Sequence, residues 1–442
     1  MRTIPMLLLG ATTLALAACG GAGGSTERQL GADPHLPAIN QYLVPPMHVA
    51  PVGSWAGAAP TVAPGLQVTA LATGLQHPRQ PYVLPNGDVL VVESSGPGTE
   101  PVKRPKEIIM GWVMGYAGAG AKGGNRVTLL RDANGDGTPE LRSVLLDHLH
   151  SPFGITLVGG DLYVANTDAI VRYPYVTGQT RITAPGVKLT DLPGGPIDHH
   201  WTKSLTASPD GRKLYVGVGS NSNITENGIE AEKGRAAIWE VDRSNGASRL
   251  YATGLRNPNG LTFNPTSGQL WTVVNERDEI GPDLVPDYMT SVQDGAFYGW
   301  PYSYWGQHVD PRVMPQRPDL VKAAIRPDYG LSSHVAPLGM VFAGVGLPAA
   351  YQGGAFVAEH GSWDRGNLNG YKVVYIPFAG GKPNGKAQDV VTGFIGPNGK
   401  ARGRPVGLAV DPRGGLLIAD DLGNTVWRVS AKAAPVATAS LR

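Results

Sequence analysis

Apolar residues fall in short runs along this chain, and each run has the same surroundings. Residues 88–93 (Asp-Val-Leu-Val-Val-Glu), 161–166, 214–219, 269–276, 355–360 and 415–421 are strand-like blocks ending in small, polar or acidic residues. Each follows a polar or histidine-bearing start, a first strand and a glycine-containing turn. Runs of this length bounded by Gly, Pro, Asn and Asp read as strands rather than helices. Six copies recur at irregular intervals of roughly 50 to 80 residues, as expected when small antiparallel sheets each need a neighbour on both faces. The pattern predicts an all-β chain folded as a six-bladed β-propeller, with a sandwich or two separate domains as the alternatives. Further amphipathic segments at 237–241, 371–376 and 425–429 are expected as outer strands, and residues 66–71 as the strand that completes the last blade and closes the ring. The glycine-rich stretch 100–124 interrupts the first blade and reads as a loop insertion near the entrance to a pocket.

Composition supports this reading. With 61 glycines and 38 prolines in 442 residues, the chain carries more helix-breaking residues than a helical protein tolerates, and 42% hydrophobic residues suffice for a core. A net charge of +2 with interspersed signs announces no nucleic-acid-binding face. The single cysteine, Cys19, excludes an internal disulfide framework. It ends the sequence Leu16-Ala17-Ala18-Cys19, after Arg2 and an apolar run, the arrangement of an export signal whose cysteine is lipidated. The expected organisation is a lipoprotein signal at 1–19, a tether and wrapping segment at 20–64, and the propeller at 65–442. The expected location is periplasmic, with Cys19 anchored by lipid, by analogy in the outer membrane because Gly20 follows it. Outside the cytoplasm, NAD supply becomes an unlikely source of oxidising power.

In a propeller the innermost strands converge on the axis, so their starting residues meet although they are far apart in sequence. His150, His200, Arg256, Asn257, His334 and Arg404, with Arg402 nearby, would form a basic ring bearing imidazoles. Such a ring suits an anionic ligand and a proton-abstracting step. Residues 132–140 (Asp-Ala-Asn-Gly-Asp-Gly-Thr-Pro-Glu) begin like a calcium loop, but Glu140 stands at the ninth place rather than the twelfth, and a polar hairpin turn explains them as well.

The segments His199-His200-Trp201-Thr202-Lys203-Ser204-Leu205, Gly219-Ser220-Asn221-Ser222-Asn223, Gly254-Leu255-Arg256-Asn257-Pro258-Asn259-Gly260 and Asn275-Glu276-Arg277-Asp278-Glu279 resemble the sorbosone dehydrogenase family, which belongs with the soluble sugar dehydrogenases that use pyrroloquinoline quinone (PQQ). The resemblance implies a propeller binding PQQ and Ca²⁺ on one rim. It gives His200 the role of general base toward a sugar or hydrated aldehyde, and places Arg256 and Asn257 beside the quinone. For the cofactor's carboxylates it points to Lys203, Arg402 and Arg404, with His150 as a polar contact and His360 or Arg365 in place of a lysine. For the metal it implies the Asp283 side chain and carbonyls from Arg277 and Asp278. Electrons would pass to a quinone or cytochrome acceptor. A metal-dependent lactonase-type propeller and a non-catalytic binding propeller are the other readings.

Overall fold

The computed structural model describes residues 24–41, 47–102, 104–344 and 346–432. Residues 1–23, and with them the Cys19 signal, lie outside the described residues. Six antiparallel sheets of four main strands stand in a ring, a six-bladed β-propeller. Each sheet runs from an inner strand outward. The inner strands are Pro78–Val83, Gly154–Val158, Leu205–Ala207, Pro258–Phe263, Pro337–Phe342 and Pro405–Val410, and each touches the next around the axis, the last meeting the first.

Second strands such as Val89–Glu93, Leu270–Val274 and Leu416–Asp420 are buried at every residue. A blade is covered on both faces by its neighbours, so these strands read as continuous apolar runs instead of alternating. The burial of such side chains contributes about 1.5–3 kcal/mol each before entropy is counted. Segments 237–242, 372–376 and 425–431 are third strands, and a fourth lies outside each of them. The expectation that they were outermost is corrected: their buried face packs within the blade, and the outer edge falls to more polar strands such as Ser248–Thr253.

The ring closes where Leu66–Ala72 pairs with Thr425–Ala431. Farther upstream, Leu30–Gly31 adds to the outer edge of the fourth blade and Thr61–Val62 to that of the fifth, covering strand edges that would otherwise be open.

A second closure crosses the axis. Arg79 of the first blade lies between Phe153 and Trp201, 5.5 Å from each ring centroid, and pairs with Asp421 of the sixth blade. The cation is buried, so its partners in three other blades fix how the blades meet.

The 100–124 insertion is not a plain loop. It contains a helix, α1 (Pro105–Tyr116). Pro105 supplies a helical φ at the first position, and the Glu107 carboxylate accepts the Arg104 N–H at 2.9 Å, closing a capping box.

Candidate active site

A cavity of about 510 Å³ opens on one rim of the ring. Its floor and walls include His200, Asn223, Arg256, Glu276, Asp278, Asp287, His334, His360 and Arg404, drawn from four blades, and α1 forms one side.

His200 is fixed by Ser220. Its backbone N–H and its Nδ1 both reach the Ser220 carbonyl, Nδ1 at 2.9 Å. Nδ1 therefore carries the hydrogen, and Nε2 is left with a lone pair and no partner among the described residues. Gly219 makes this packing feasible, because a Cβ there would lie 2.5 Å from His200 Cβ and from Asn257 Oδ1. Burial, reinforced by Arg256 and His199, holds the His200 pKa well below 6.5, so the ring is neutral near pH 7.

The Ser220 N–H donates to the Arg256 carbonyl at 2.8 Å, so one serine ties the imidazole to the arginine. The Arg256 guanidinium is satisfied on all sides: it donates to Asn223, to the carbonyls of Asn275 and Glu276, and to Asp278 at 3.2 Å. Asp278 also meets His334 at 3.1 Å. Burial alone would lower the His334 pKa, but the hydrogen bond and charge of Asp278 push it up to about 9.

Arg404 differs from Arg256. It is buried and lies over the Tyr371 ring, yet it makes no ion pair among the described residues, and its buried Nε has no hydrogen-bond partner. A desolvated cation without a counter-charge is costly, and an anion in the cavity would remove that cost. His360 lines the same wall, with Nε2 3.0 Å from Asp421, and burial keeps it below its usual pKa.

Of the residues singled out in the sequence, His200, Arg256, Asp278, His334, His360 and Arg404 meet in the cavity, whereas His150, Lys203, Asn257, Asp283, Arg365 and Arg402 do not line it. His150 faces Asp168 at 3.0 Å and is half-exposed. Lys203 is wholly buried against the Trp201 carbonyl and Asp198, and burial lowers its pKa to about 8. Asn257 is buried behind Gly219. Arg402 lies on the 394–402 turn, its N–H bonded to the Phe394 carbonyl.

Of the metal ligands expected in the 276–283 loop, the Asp283 side chain is corrected: it pairs with Arg365 at 3.1 Å and accepts the Gly24 N–H, so Asp283 and Arg365 neutralise each other outside the cavity. The Arg277 side chain pairs with Asp310, and Asp278 lines the cavity. Among the carboxylates that line the cavity are Glu276, Asp278 and Asp287. Burial pushes both Glu276 and Asp287 up to about 7. The Asp287 carboxylate is caged by the N–H groups of Glu276 and Ala336, whereas Glu276 receives only the Arg277 N–H. Buried carboxylates held near neutrality fit a hard divalent cation, since its charge would restore their ionised form.

Two contributors were missed in the sequence. Asn223 grips Arg256 and Asp278 together, and Asp287 is a lone carboxylate within an otherwise apolar or hydroxyl-bearing strand, Pro286–Ser291. Its isolation was the available signal. Residues 132–140 form the polar hairpin turn, with Arg413 paired to Asp132.

Comparisons with known proteins agree with this geometry. A family model described as TrAA12-like matches residues 122–302 and 319–432. A protein of Hypocrea jecorina named pyrroloquinoline quinone-dependent sugar dehydrogenase is 24% identical over 277 residues, which are 56% of this chain and 58% of that protein. Among solved structures, the holo form of the PQQ domain of pyranose dehydrogenase from Coprinopsis cinerea covers 84% of this chain and 97% of its own, with TM-score 0.67 and 23% identity. The calcium structure of a Trichoderma reesei family AA12 enzyme covers 88% and 99%, with TM-score 0.69 and 20% identity. At these identities the two structures establish the shared fold.

Proposed function

This chain belongs to the TrAA12-like family of PQQ-dependent sugar dehydrogenases, and on that premise we propose that it oxidises a sugar or sugar aldehyde, such as a sorbosone-like or aldose substrate, with PQQ and Ca²⁺ held in the cavity. The observation that carries the reading is the unpaired, buried Arg404 cation in the same cavity as a neutral His200 whose Nε2 is free to accept a proton. Arg404 would hold the anionic cofactor with the fixed charge of Arg256 beside it, and Glu276 with Asp278 would hold the metal. Bound there, PQQ supplies a hydride-accepting quinone.

The residues of this chain do the rest. His200 Nε2 takes the hydroxyl proton of the substrate, and the Ser220 carbonyl, through Nδ1, stabilises the imidazolium that results. Arg256 stays fixed by its four partners, so its charge is available without reorganisation. The α1 side of the cavity, with Val113 and Met114, screens the base from water. A lactonase-type site would share the inward carboxylates, but an unpaired buried arginine has no use there.

Reconstitution with PQQ and Ca²⁺, followed by dye reduction over a panel of sugars and aldehydes, tests the proposal; no substrate-dependent reduction overturns it. Because burial and Arg256 disfavour the charged imidazole, the acid limb of kcat/KM is expected below pH 6.5. A limb at or above that pH would assign the proton to another group. Arg404→Met is expected to weaken PQQ binding by about 10- to 100-fold, the scale of one hydrogen bond to a charged group, in a fluorescence titration. Unchanged affinity would place the carboxylates elsewhere.

The lipid anchor at Cys19 and a periplasmic site at the outer membrane belong to the same proposal, with a quinone or cytochrome taking the electrons. Support comes from the apolar run and the Leu-Ala-Ala-Cys ending. Mass analysis of the N-terminal peptide from cells checks it.

A further inference from the structure

Among the described residues, helix α1 has no partner for the apolar side chains along one side. Ile108, Ile109 and Trp112 are 66%, 58% and 74% exposed, and Tyr116 stacks beside Trp112 at 6.3 Å. Positions 108, 112 and 116 follow the helical repeat along one side, with Ile109 adjoining. Val113, Ala117 and the half-exposed Met114 line the cavity. A contiguous apolar stripe of this kind marks an interaction site. The amphipathic indole and phenol rings are the side chains enriched where water meets lipid.

The start of the described chain says what covers it. The Gly24 N–H donates to Asp283, and the Gly24 carbonyl accepts from Arg365. These two residues stand in the loops that supply Asp278, Glu279, Ser362 and Trp363 to the cavity rim. Four residues separate Cys19 from Gly24, and the five steps of chain span at most about 18 Å when fully extended. If Cys19 bears lipid, as proposed above and as this inference assumes, the bilayer lies within that distance of the rim that carries α1.

We propose that α1 is a membrane-docking helix that lays Ile108, Ile109, Trp112 and Tyr116 into the bilayer surface and so turns the mouth of the cavity toward the lipid. A lipid on a flexible tether holds the protein at the membrane without fixing its orientation, and a second apolar contact fixes it. The site would then meet lipid-soluble acceptors and amphiphilic substrates at the membrane.

Trp112 provides the test. The other eight tryptophans are buried or half-buried. Full-length protein is bound to phosphatidylethanolamine and phosphatidylglycerol vesicles whose acyl chains carry bromine, a contact quencher. The wild type is expected to lose the Trp112 share of its emission. Trp112→Phe should show no such loss, and Ile108→Asp with Ile109→Asp should abolish it while the protein stays on the vesicles and keeps its unfolding midpoint. Equal quenching in wild type and Trp112→Phe overturns the proposal. So does a dimer that persists on vesicles and shields Trp112. The mass at Cys19 is read on the same sample, so absent lipidation and an undocked helix are separate results.

Discussion

His200→Ala is expected to lower sugar-dependent turnover by about 10²- to 10⁴-fold, the usual contribution of one positioned base, with cofactor affinity nearly unchanged. The imidazole is held through Nδ1 by Ser220 and offers only Nε2 to the cavity. It makes no ion pair with Arg256 or Arg404, so its loss leaves the cationic groups in place. Steady-state kinetics and a PQQ titration on the same preparation separate the two effects. Loss of PQQ binding in parallel with turnover would make His200 a cofactor ligand instead, and full activity would remove it from the chemistry. Ser220→Ala is the companion variant. It keeps the carbonyl that accepts from Nδ1 and removes only a hydroxyl 3.0 Å away, so a smaller effect is expected.

Asp421→Ala is expected to destabilise the propeller by about 3–5 kcal/mol, as when one partner of a buried ion pair is removed. Its carboxylate takes Arg79 from the first blade, His77 at 3.5 Å and His360 at 3.0 Å. Without it, a guanidinium enclosed by Phe153 and Trp201 has no counter-charge and no route to water. Urea unfolding of wild type and variant measures the difference, and a loss below about 1 kcal/mol would show that the pair is dispensable. Replacing Arg79 and Asp421 together by leucine should recover much of the loss, because the penalty comes from the stranded charge. Because His360 lines the cavity from this cluster, the single variant is also expected to disturb the wall that carries Arg404.

The repeat was legible in the chain because each blade must bury both faces of its second strand. Val89–Glu93 and Leu416–Asp420 therefore announce themselves as unbroken apolar runs. His200 and Arg256 were legible too, since polar residues at the start of an inner strand have few places to go except the axis. The helical nature of 105–116 was less so: its glycines suggest a loop, while its capping box and its packing beside the cavity favour a helix. Lys203, Arg365 and Asp283 were misplaced because a residue's type gives its charge but not its partner. Lys203 turns to Asp198, and Arg365 with Asp283 forms a closed pair.

The amino-acid order alone thus determined the architecture, which follows from local periodicity, and the presence of His200, Arg256 and Arg404 at the central rim, which follows from strand-start chemistry. The tertiary structure decided which charges stay unspent. Arg256 is fixed in place by Asp278 and three carbonyls while Arg404 is left open, and Glu276 faces the cavity where Asp283 does not. Ion pairing depends on distances of a few ångströms between residues that range from 22 positions apart, as in Arg256 and Asp278, to 342, as in Arg79 and Asp421, and only the closed ring of blades sets those distances.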